Sequence, residues 1–282
     1  MAQVTGKHKS YQFGMHGEPL GGRTHRVFFS IEQQEANLVY PDSDDVDFNR
    51  RAELDAAGLS VAEVNRGIRA LVQQGYGHIV VQNPNAKHSL GVGILNRLRL
   101  DFVGSLGYFA VGLIDGPNVC IKGRVGWSCA ENMMAGTVVV EKNAGSSFGA
   151  AIRGGDLVCK GDVGARTGIN MKGGTIIVGG RTGILSGFMM QRGRMIVLGD
   201  ADENLGDSMY DGTIYVGGKI QSLGVDAVSG EMTEADMTWL KRKLELYGLE
   251  ATNGLENMQK IVAGKQLWNY DNLEPTEKKI IL

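Results

Sequence analysis

The sequence has few of the residues on which most chemical sites depend. Its 282 residues include three cysteines, Cys120, Cys129 and Cys159, and no two of them form a Cys-x-x-Cys pair. Zinc and iron–sulfur sites commonly use such pairs, so the three thiols are predicted to be small, buried or half-buried apolar groups. No histidine follows His88, and none stands in a recognisable triad spacing with a serine or cysteine. We therefore predict no catalytic, cofactor-binding or metal-binding residue in this chain.

Net charge and long apolar runs are also scarce. The formal net charge is −2 at pH 7, which does not favour binding to nucleic acid or to an anionic membrane surface. No run of 18 apolar residues is present, and the first residues contain no apolar segment of the kind that opens a secretory signal. These features predict a soluble, cytoplasmic protein.

Glycine is abundant, with 42 residues, and it follows a repeat. One phrase is written six times at a spacing of nineteen residues. The first residues of the six copies are Pro117, Gly136, Gly155, Gly174, Gly193 and Gly212. A fixed period of this kind indicates one structural unit stacked repeatedly, and each unit is called a rung below.

The rungs are too short for mixed α/β units. Two residues after each first residue comes an apolar, β-branched run, such as VVVE after Gly136, and such runs are typical of short strands. Leucine-rich repeats, at about 20–29 residues, only just hold a strand, a helix and two loops. The predicted fold class is therefore mainly β, a right-handed parallel β-helix with 19-residue rungs, and glycine recurs where its chain turns.

Equivalent positions in the rungs form columns that separate inside from outside. Side chains alternate along a strand, so the columns two and four residues after each first residue share a face, which we assign to the interior. The column at two is Val119, Val138, Leu157, Ile176, Met195 and Ile214. The column at four is Ile121, Val140, Cys159, Val178, Val197 and Val216. A further column, predicted to supply the opposite wall of the core, is Met133, Ile152, Met171, Met190 and Met209.

The column at three should point outward, yet it is apolar. It reads Cys120, Val139, Val158, Ile177, Ile196 and Tyr215. An outward stripe of this composition should not face water. Either the flanking segments of this chain cover it or another subunit does, and the sequence leaves both possibilities open.

The flanks depart from the period. We predict an N-terminal extension at 1–57 with a strand at 26–31, a helix with an irregular first rung at 58–97, the β-helix at 98–228 and a helical tail at 229–282. The stretches 78–82 and 100–103 are predicted to be early, irregular strands of the stack. Atypical end rungs are expected, because the open end of a stack must be covered.

Three helices are predicted in the flanks. Ser60 and Glu63 form a capping box ahead of an apolar pattern that ends at Gly75. Thr233 and Asp236 open a second helix, roughly Glu234–Tyr247. A third, short helix is predicted over 255–262. The aromatic residue Trp268 follows in the tail, which is expected to dock on this chain or on a partner.

The most plausible functional residues are those of a contact surface. The turn residues Trp127 and Glu131 interrupt the small-residue pattern, and a bulky indole at a corner could anchor a neighbour. Basic residues gather at other turns, either as solvated corners or as contacts to acidic groups of a partner. The predicted partner interface is Trp127, Glu131, Arg153, Arg166, Lys172, Ile177, Ile196, Tyr215 and Trp268. The glycine-rich stretch 161–168 returns to a strand rather than to a helix, so it is not predicted to bind phosphate.

The glycine phrases resemble a known family. The phrases GPNVCIKGRVGWSCAENM, RGGDLVCKGDVGARTG, MKGGTIIVGGRTG and GDADENLGDSMYDGTIYVGGKIQSLGVDA are similar to the GXGXG domain, the C-terminal β-helix of the large subunit of glutamate synthase. They look closest to its stand-alone form, a separate subunit of glutamate synthase-like complexes such as N-methylglutamate synthase. The resemblance covers about residues 58–228 and is weaker in both flanks.

The resemblance implies a division of labour. A class II glutamine amidotransferase-like subunit and a synthase-like subunit with FMN and an iron–sulfur cluster would carry the chemistry. This chain would be a non-catalytic scaffold that holds no cofactor of its own and positions the two. Because no second domain is fused here, these partners would be separate chains.

Three other interpretations remain. The β-helical subunit of a formylmethanofuran dehydrogenase or formyltransferase-hydrolase complex has the same kind of fold, but the capped helix ahead of the repeats favours glutamate synthase. A self-contained β-helical acyltransferase would show a hexapeptide rhythm and a catalytic histidine between coils. The period of nineteen and the absence of histidine after His88 disfavour it. A purely structural homo-oligomer is the remaining possibility.

Overall fold

The computed structural model describes residues 46–264, which contain eleven strands and two α-helices. The predicted strand at 26–31 and the predicted contact residue Trp268 lie outside this range. The strands are β1 (Asp47–Asp55), β2 (Tyr76–Gln82), β3 (Arg99–Val103), β4 (Asp115–Ile121), β5 (Ala135–Val140), β6 (Asp156–Cys159), β7 (Lys172–Val178), β8 (Arg192–Val197), β9 (Thr213–Val216), β10 (Ala227–Gly230) and β11 (Gln259–Ala263). The helices are α1 (Val61–Gln73) and α2 (Glu234–Tyr247).

The strands form one parallel stack, as the repeat predicts. From β1 to β9 each strand pairs with the next one in the sequence, and all these pairs are parallel. Val119 is in register with Val138, and Val138 with Leu157, so each rung places the same position directly over its neighbour. The result is a β-solenoid of about 7 turns with ~19-residue spacing. The mainly β fold is therefore confirmed.

The early strands of the stack were partly predictable. Strands β2 and β3 occur where the irregular first rungs were expected, and they pair with each other and with β4. Strand β1 was missed and lies within the predicted N-terminal extension. Its sequence DFNRRAELD is largely charged and mostly exposed, so it lacks the apolar run by which the other strands were found.

The predicted interior columns are buried. Every residue in the columns two and four positions after the rung start is at most 2% exposed, and the methionine-rich column opposite is at most 1% exposed. Both walls join one continuous core, which also contains Val64, Ile68 and Val72 of α1. Helix α1 packs against β1 and β2 and so covers the interior at one end of the stack.

The wall opposite the strands consists of tight turns. Ala150 N–H donates to the carbonyl of Ser147 at 3.1 Å, and the same bond recurs from Ile169 to Arg166 at 3.1 Å. Between the first pair lies Gly149, with a positive φ of 68°. A Cβ there would come within 2.6 Å of Leu157 Cδ2, so both the backbone and the core packing require glycine.

The ends of both helices follow the predicted signals. Ser60 and Glu63 form the capping box of α1, and Thr233 and Asp236 form that of α2. Helix α2 ends at Gly248, which adopts the left-handed conformation with φ 63°.

The third predicted helix is wrong. Residues Leu255–Asn257 form one 3-10 turn, and Gln259–Ala263 is strand β11. Leu255, Met258 and Ile261 have helical spacing, but the last strand of the stack offers unpaired backbone groups. Strand β11 pairs with β9 in antiparallel orientation, opposing Ile261 to Ile214, and also pairs with β10. Hydrogen bonding to this edge outweighs the local pattern.

Candidate interaction surfaces

Helix α2 covers most of the outward apolar stripe. Val158, Ile177, Ile196 and Tyr215 form a second core cluster with Leu240 and Leu244 of the helix. Of the two possible coverings, the structure shows the chain's own C-terminal helix.

This burial corrects part of the predicted interface. Ile177 and Ile196 are 0% exposed and Tyr215 is 1% exposed. Their side chains are internal to this chain, so they are not available for contact with a partner while α2 is in place.

Two polar clusters fasten α2 to the sheet. Near its first turn, the Tyr215 hydroxyl donates to Asp236 Oδ1 and Lys260 Nζ donates to Asp236 Oδ2, each at 2.7 Å. Near its last turn, Lys243 Nζ donates to both oxygens of Asp156 at 2.7 and 2.6 Å, and the Tyr247 hydroxyl donates to Asp156 Oδ2 at 2.6 Å. The helix therefore runs across the strands from β9 to β6.

The bonds at the first turn shift two pKa values. Burial and the neighbouring Asp236 carboxylate raise the pKa of Tyr215. Burial opposes ionisation of Asp236, but the bonds from Lys260, Tyr215 and Thr233 outweigh it and hold the pKa of Asp236 well below its usual value. Asp236 is thus a charged group whose stabilisation depends on α2 being docked.

Helix α2 ends over β5, where Val139 is half-buried against its cluster, and beyond this point the sheet presents an open sheet face. We use this name for the outward side chains of β3, β4 and β5, which are Arg99, Asp101, Asn118, Cys120, Thr137 and Val139. Together with Leu246 and Tyr247 at the end of α2 they line a pocket of about 360 Å³. This face continues the stripe that α2 covers farther along the stack.

Asp101 gives this face an unusual polar group. Its side chain is 10% exposed, and its Oδ2 accepts from Arg99 Nε at 3.0 Å and lies 2.8 Å from His78 Nε2. Its Oδ1 is buried and has no hydrogen-bond partner. An unsatisfied buried acceptor of this kind costs about 1–3 kcal/mol.

The second open surface is the turn wall. We define it as residues 108–113 and the four equivalent stretches 127–132, 146–151, 165–170 and 184–189. In each stretch the two middle residues are buried, and the first two and last two are exposed or half-exposed, apart from Gly112. Hydrogen bonds between successive stretches, such as Phe109 N–H to Trp127 O at 2.8 Å, keep the five stretches in register.

The turn wall is apolar and nearly uncharged. Six large apolar side chains on it are 36–57% exposed: Tyr108, Phe109, Leu113, Trp127, Ile184 and Met189. The rings of Tyr108 and Trp127 stack with centroids 5.2 Å apart, and His88 stacks on Tyr108 at 4.6 Å. Glu131 and Arg166 are the wall's only charged residues. Exposed apolar side chains gathered on one surface often mark contacts with other molecules.

The structure divides the remaining predicted interface residues between two places. Trp127, Glu131 and Arg166 all lie on the turn wall. Arg153 is exposed and Lys172 is half-buried where the wall passes into β6 and β7.

The sequence interpretation missed Tyr108, Phe109 and Leu113, because they precede the first clear repeat. Counting nineteen residues back from Trp127 leads to Tyr108 and could have found them.

The thiols are poorly placed for reaction. Cys129 and Cys159 are buried and Cys120 is half-buried. Burial raises the pKa of Cys129, and it raises that of Cys159 to about 12. Within residues 46–264, no group of three or more His, Cys, Asp or Glu side chains is arranged to hold a metal ion. In the same range no helix combines the length and apolar character needed to cross a membrane.

Comparison with known proteins gives one partial similarity. No family model matches the chain. The chain is 38% identical over 89 residues to Protein GlxC of Rhizobium meliloti (strain 1021), and this match covers 31% of the chain and 39% of that relative. The chain thus matches well under half of the relative's length.

Proposed function

We propose that this chain is a scaffold subunit of a glutamate synthase-type enzyme that forms glutamate or N-methylglutamate. In this role it would position a class II glutamine amidotransferase-like chain against a synthase-like chain that carries FMN and an iron–sulfur cluster. The observation that carries the proposal is the uninterrupted parallel stack from β2 to β9, built from the same glycine phrases that resemble the GXGXG domain.

The partial similarity to Protein GlxC supports the coarser part of the proposal, a glutamate synthase-like subunit. The scaffold role and the choice of partners rest on the family resemblance and on the surfaces described above. The formylmethanofuran-type alternative gains no support from the comparisons.

We assign the open sheet face to contact with one of these partner chains. It continues the outward stripe beyond the last turn of α2, and it places half-buried Val139 beside polar Asn118 and Thr137. Core-forming apolar groups with a polar rim are typical of protein interfaces.

The proposal is tested by mild affinity purification of the tagged full-length protein from its native cells, followed by mass spectrometry and an absorption spectrum. We expect an amidotransferase-like chain and a yellow-brown flavin and iron–sulfur chain to co-elute. The purified complex should then form two glutamates from glutamine and 2-oxoglutarate when a two-electron reductant is supplied, or N-methylglutamate and ammonia from glutamate and methylamine. A colourless protein that elutes without either chain would refute the scaffold role.

A pair of variants tests the assigned face. Asn118 is exposed on β4, and Asn118→Arg places a long cation at the pocket without disturbing the core. Ser229→Arg is the matched control, since Ser229 is also an exposed strand residue but lies on β10 at the far end of the stack. We expect Asn118→Arg to reduce recovery of a partner roughly tenfold and Ser229→Arg to leave it unchanged. Equal recovery from both variants would exclude the open sheet face as the contact.

A further inference from the structure

We propose that the turn wall is a self-complementary interface on which a second copy of this chain packs about a two-fold axis. The axis would pass through the middle stretch, 146–151. The four half-exposed residues of that stretch are small: Ser146, Ser147, Ala150 and Ala151. Small side chains at the centre allow two backbones to approach closely, as an axis at this point requires.

The positions of the two charges support this axis. Glu131 is the fifth residue of the stretch before the middle one, and Arg166 is the second residue of the stretch after it. A two-fold axis through the centre exchanges these stretches, and it exchanges fifth with second positions. Glu131 of each copy therefore lies opposite Arg166 of the other, and the interface contains two identical ion pairs.

The point midway between these two charges falls on the stretch of small residues, 146–151, which is where the axis needs them. The same axis also matches the outer ends of the wall. It brings together three pairs of apolar side chains: Phe109 with Phe188, Leu113 with Ile184, and Tyr108 with Met189. These side chains are exposed in a single copy, apart from half-buried Phe188, and they cover each other when two copies pack together.

A second charge pair lies one rung beyond the wall at each end. Leu113, the sixth residue of its stretch, donates its N–H to the carbonyl of Glu131, the fifth residue of the next stretch. Gly93 N–H donates in the same way to the carbonyl of Gly112, also a fifth residue, so Gly93 occupies the sixth position of its own rung. Glu203 takes the first position of its rung, because Leu185 N–H donates to its carbonyl. The axis exchanges these two positions, which places Glu203 opposite Gly93 of the second copy.

Arg69 brings the opposite charge to that place. Its Nη2 is 3.7 Å from where a Cβ on Gly93 would lie. Glu203 of each copy therefore approaches Arg69 of the other. The seven rungs involved, spaced about 4.8 Å apart, extend over roughly 30 Å, which is the scale of a standard protein interface.

A second copy fits these observations better than an unrelated partner does. An unrelated surface would set no requirement that acidic and basic groups be equidistant from one central stretch. An anionic membrane would favour several basic side chains around the apolar residues, whereas this wall carries a single arginine.

The experiment measures the mass of the full-length protein in solution by sedimentation equilibrium and light scattering. The wild type is expected at twice the 30.3 kDa chain mass. Glu131→Arg and Arg166→Glu each place like charges across the axis twice, so each should raise the dimer dissociation constant roughly tenfold or more. Lys142→Glu, a charge reversal at an exposed residue off the wall, should leave the dimer intact.

Mixing the two charge-reversed variants tests the two-fold symmetry directly. When Glu131→Arg and Arg166→Glu proteins are mixed, every facing pair is again opposite in charge, so a heterodimer should form from two weakened variants. The double variant with both exchanges should also dimerise. Phe109→Asn tests the apolar part, and asparagine suits its left-handed backbone, with φ 58°, so the fold should persist while the dimer weakens.

Three results would overturn the proposal. The wild type could be monomeric at the highest concentration that stays in solution. Both charge-reversed variants could remain dimeric, or their mixture could fail to form a heterodimer while circular dichroism shows native structure. If the wild type is monomeric but Glu131→Arg loses a different chain in the affinity purification, the wall belongs to that chain instead.

Discussion

Lys243 of α2 and Asp156 of β6 form an ion pair across 87 residues of sequence, with Nζ at 2.7 and 2.6 Å from the two carboxylate oxygens. Both side chains are mostly buried, at 25% and 15% exposed. The pair holds the C-terminal end of α2 at the position where the covered stripe gives way to the open sheet face.

Removing one member of this pair should release the end of the helix. We expect Lys243→Met to lower the free energy of unfolding by about 2 kcal/mol, because it leaves the Asp156 carboxylate buried with less compensation. Urea unfolding followed by circular dichroism measures the change, and amide exchange should speed up in α2 first. Lys241→Met is the control, since Lys241 is 68% exposed and its partner Glu245 is 64% exposed. A loss no larger for Lys243 than for Lys241 would show that the pair does not hold the helix.

The stability supplied by Asp236 should depend on pH. Its pKa is lowered in the folded protein from the usual value of 3.8, so the unfolded chain takes up the proton first as the pH falls. The contribution of Asp236 is therefore complete at neutral pH and is lost progressively below 3.8.

We expect Asp236→Asn to be less stable than the wild type at pH 7, and the difference in unfolding free energy to shrink as the pH is lowered below about 4. Urea titrations at several pH values measure it. Tyr215→Phe, which removes one of several bonds to Asp236, should show a smaller change with pH. A difference that stays constant from pH 7 to pH 3 would contradict the assignment.

Substitutions at two glycines with similar φ angles distinguish the cost of a left-handed backbone from the cost of a steric clash in the core. Gly149 and Gly248 have φ values of 68° and 63°, but a Cβ on Gly248 meets nothing within 4 Å. We expect Gly248→Ala to cost about 1 kcal/mol through the left-handed backbone alone. Gly149→Ala should cost more, about 2–4 kcal/mol, because its Cβ would overlap Leu157 and Ile176 in the core. Equal losses in thermal or urea unfolding would mean that the core rearranges freely around position 149.

Thiol reagents should distinguish the three cysteines. At pH 8 the native protein should react rapidly at Cys120 at most, because Cys129 and Cys159 are buried with raised pKa values. In denaturant all three of the chain's cysteines should react. Rapid reaction of more than one thiol in the folded protein would show that the core opens readily.

The sequence predicted most reliably the features that depend on residues close together in the chain. The capping boxes at Ser60 and Thr233 require only a few residues, and both helices begin where those signals stand. The buried columns were predictable because residues nineteen positions apart lie in register, so the same position is buried in every rung. Strand β1 was not, since its pairing depends on β2 and not on its own charged sequence.

The candidate surfaces were only half predictable, for a physical reason. An outward column such as Ile177 and Ile196 is apolar whether a helix of the same chain or another subunit covers it, so composition alone could not choose. Trp127, Glu131 and Arg166 were singled out separately as bulky or charged turn residues. Their meeting on one wall, with Tyr108 and Phe109, depends on how the turns stack and had no signal within any single phrase.

The two ends of the stack determine how the molecule can grow. At one end the edge strand β1 is charged and interrupted by a register shift near Asp47 and Arg51. At the other end β11 lies between β9 and the edge strand β10, which is only four residues long. A charged, irregular edge strand and a very short one both discourage the addition of a strand from another copy. Within the part of the chain that the structure describes, growth into end-to-end fibres is therefore discouraged, and assembly is directed to the sides of the stack.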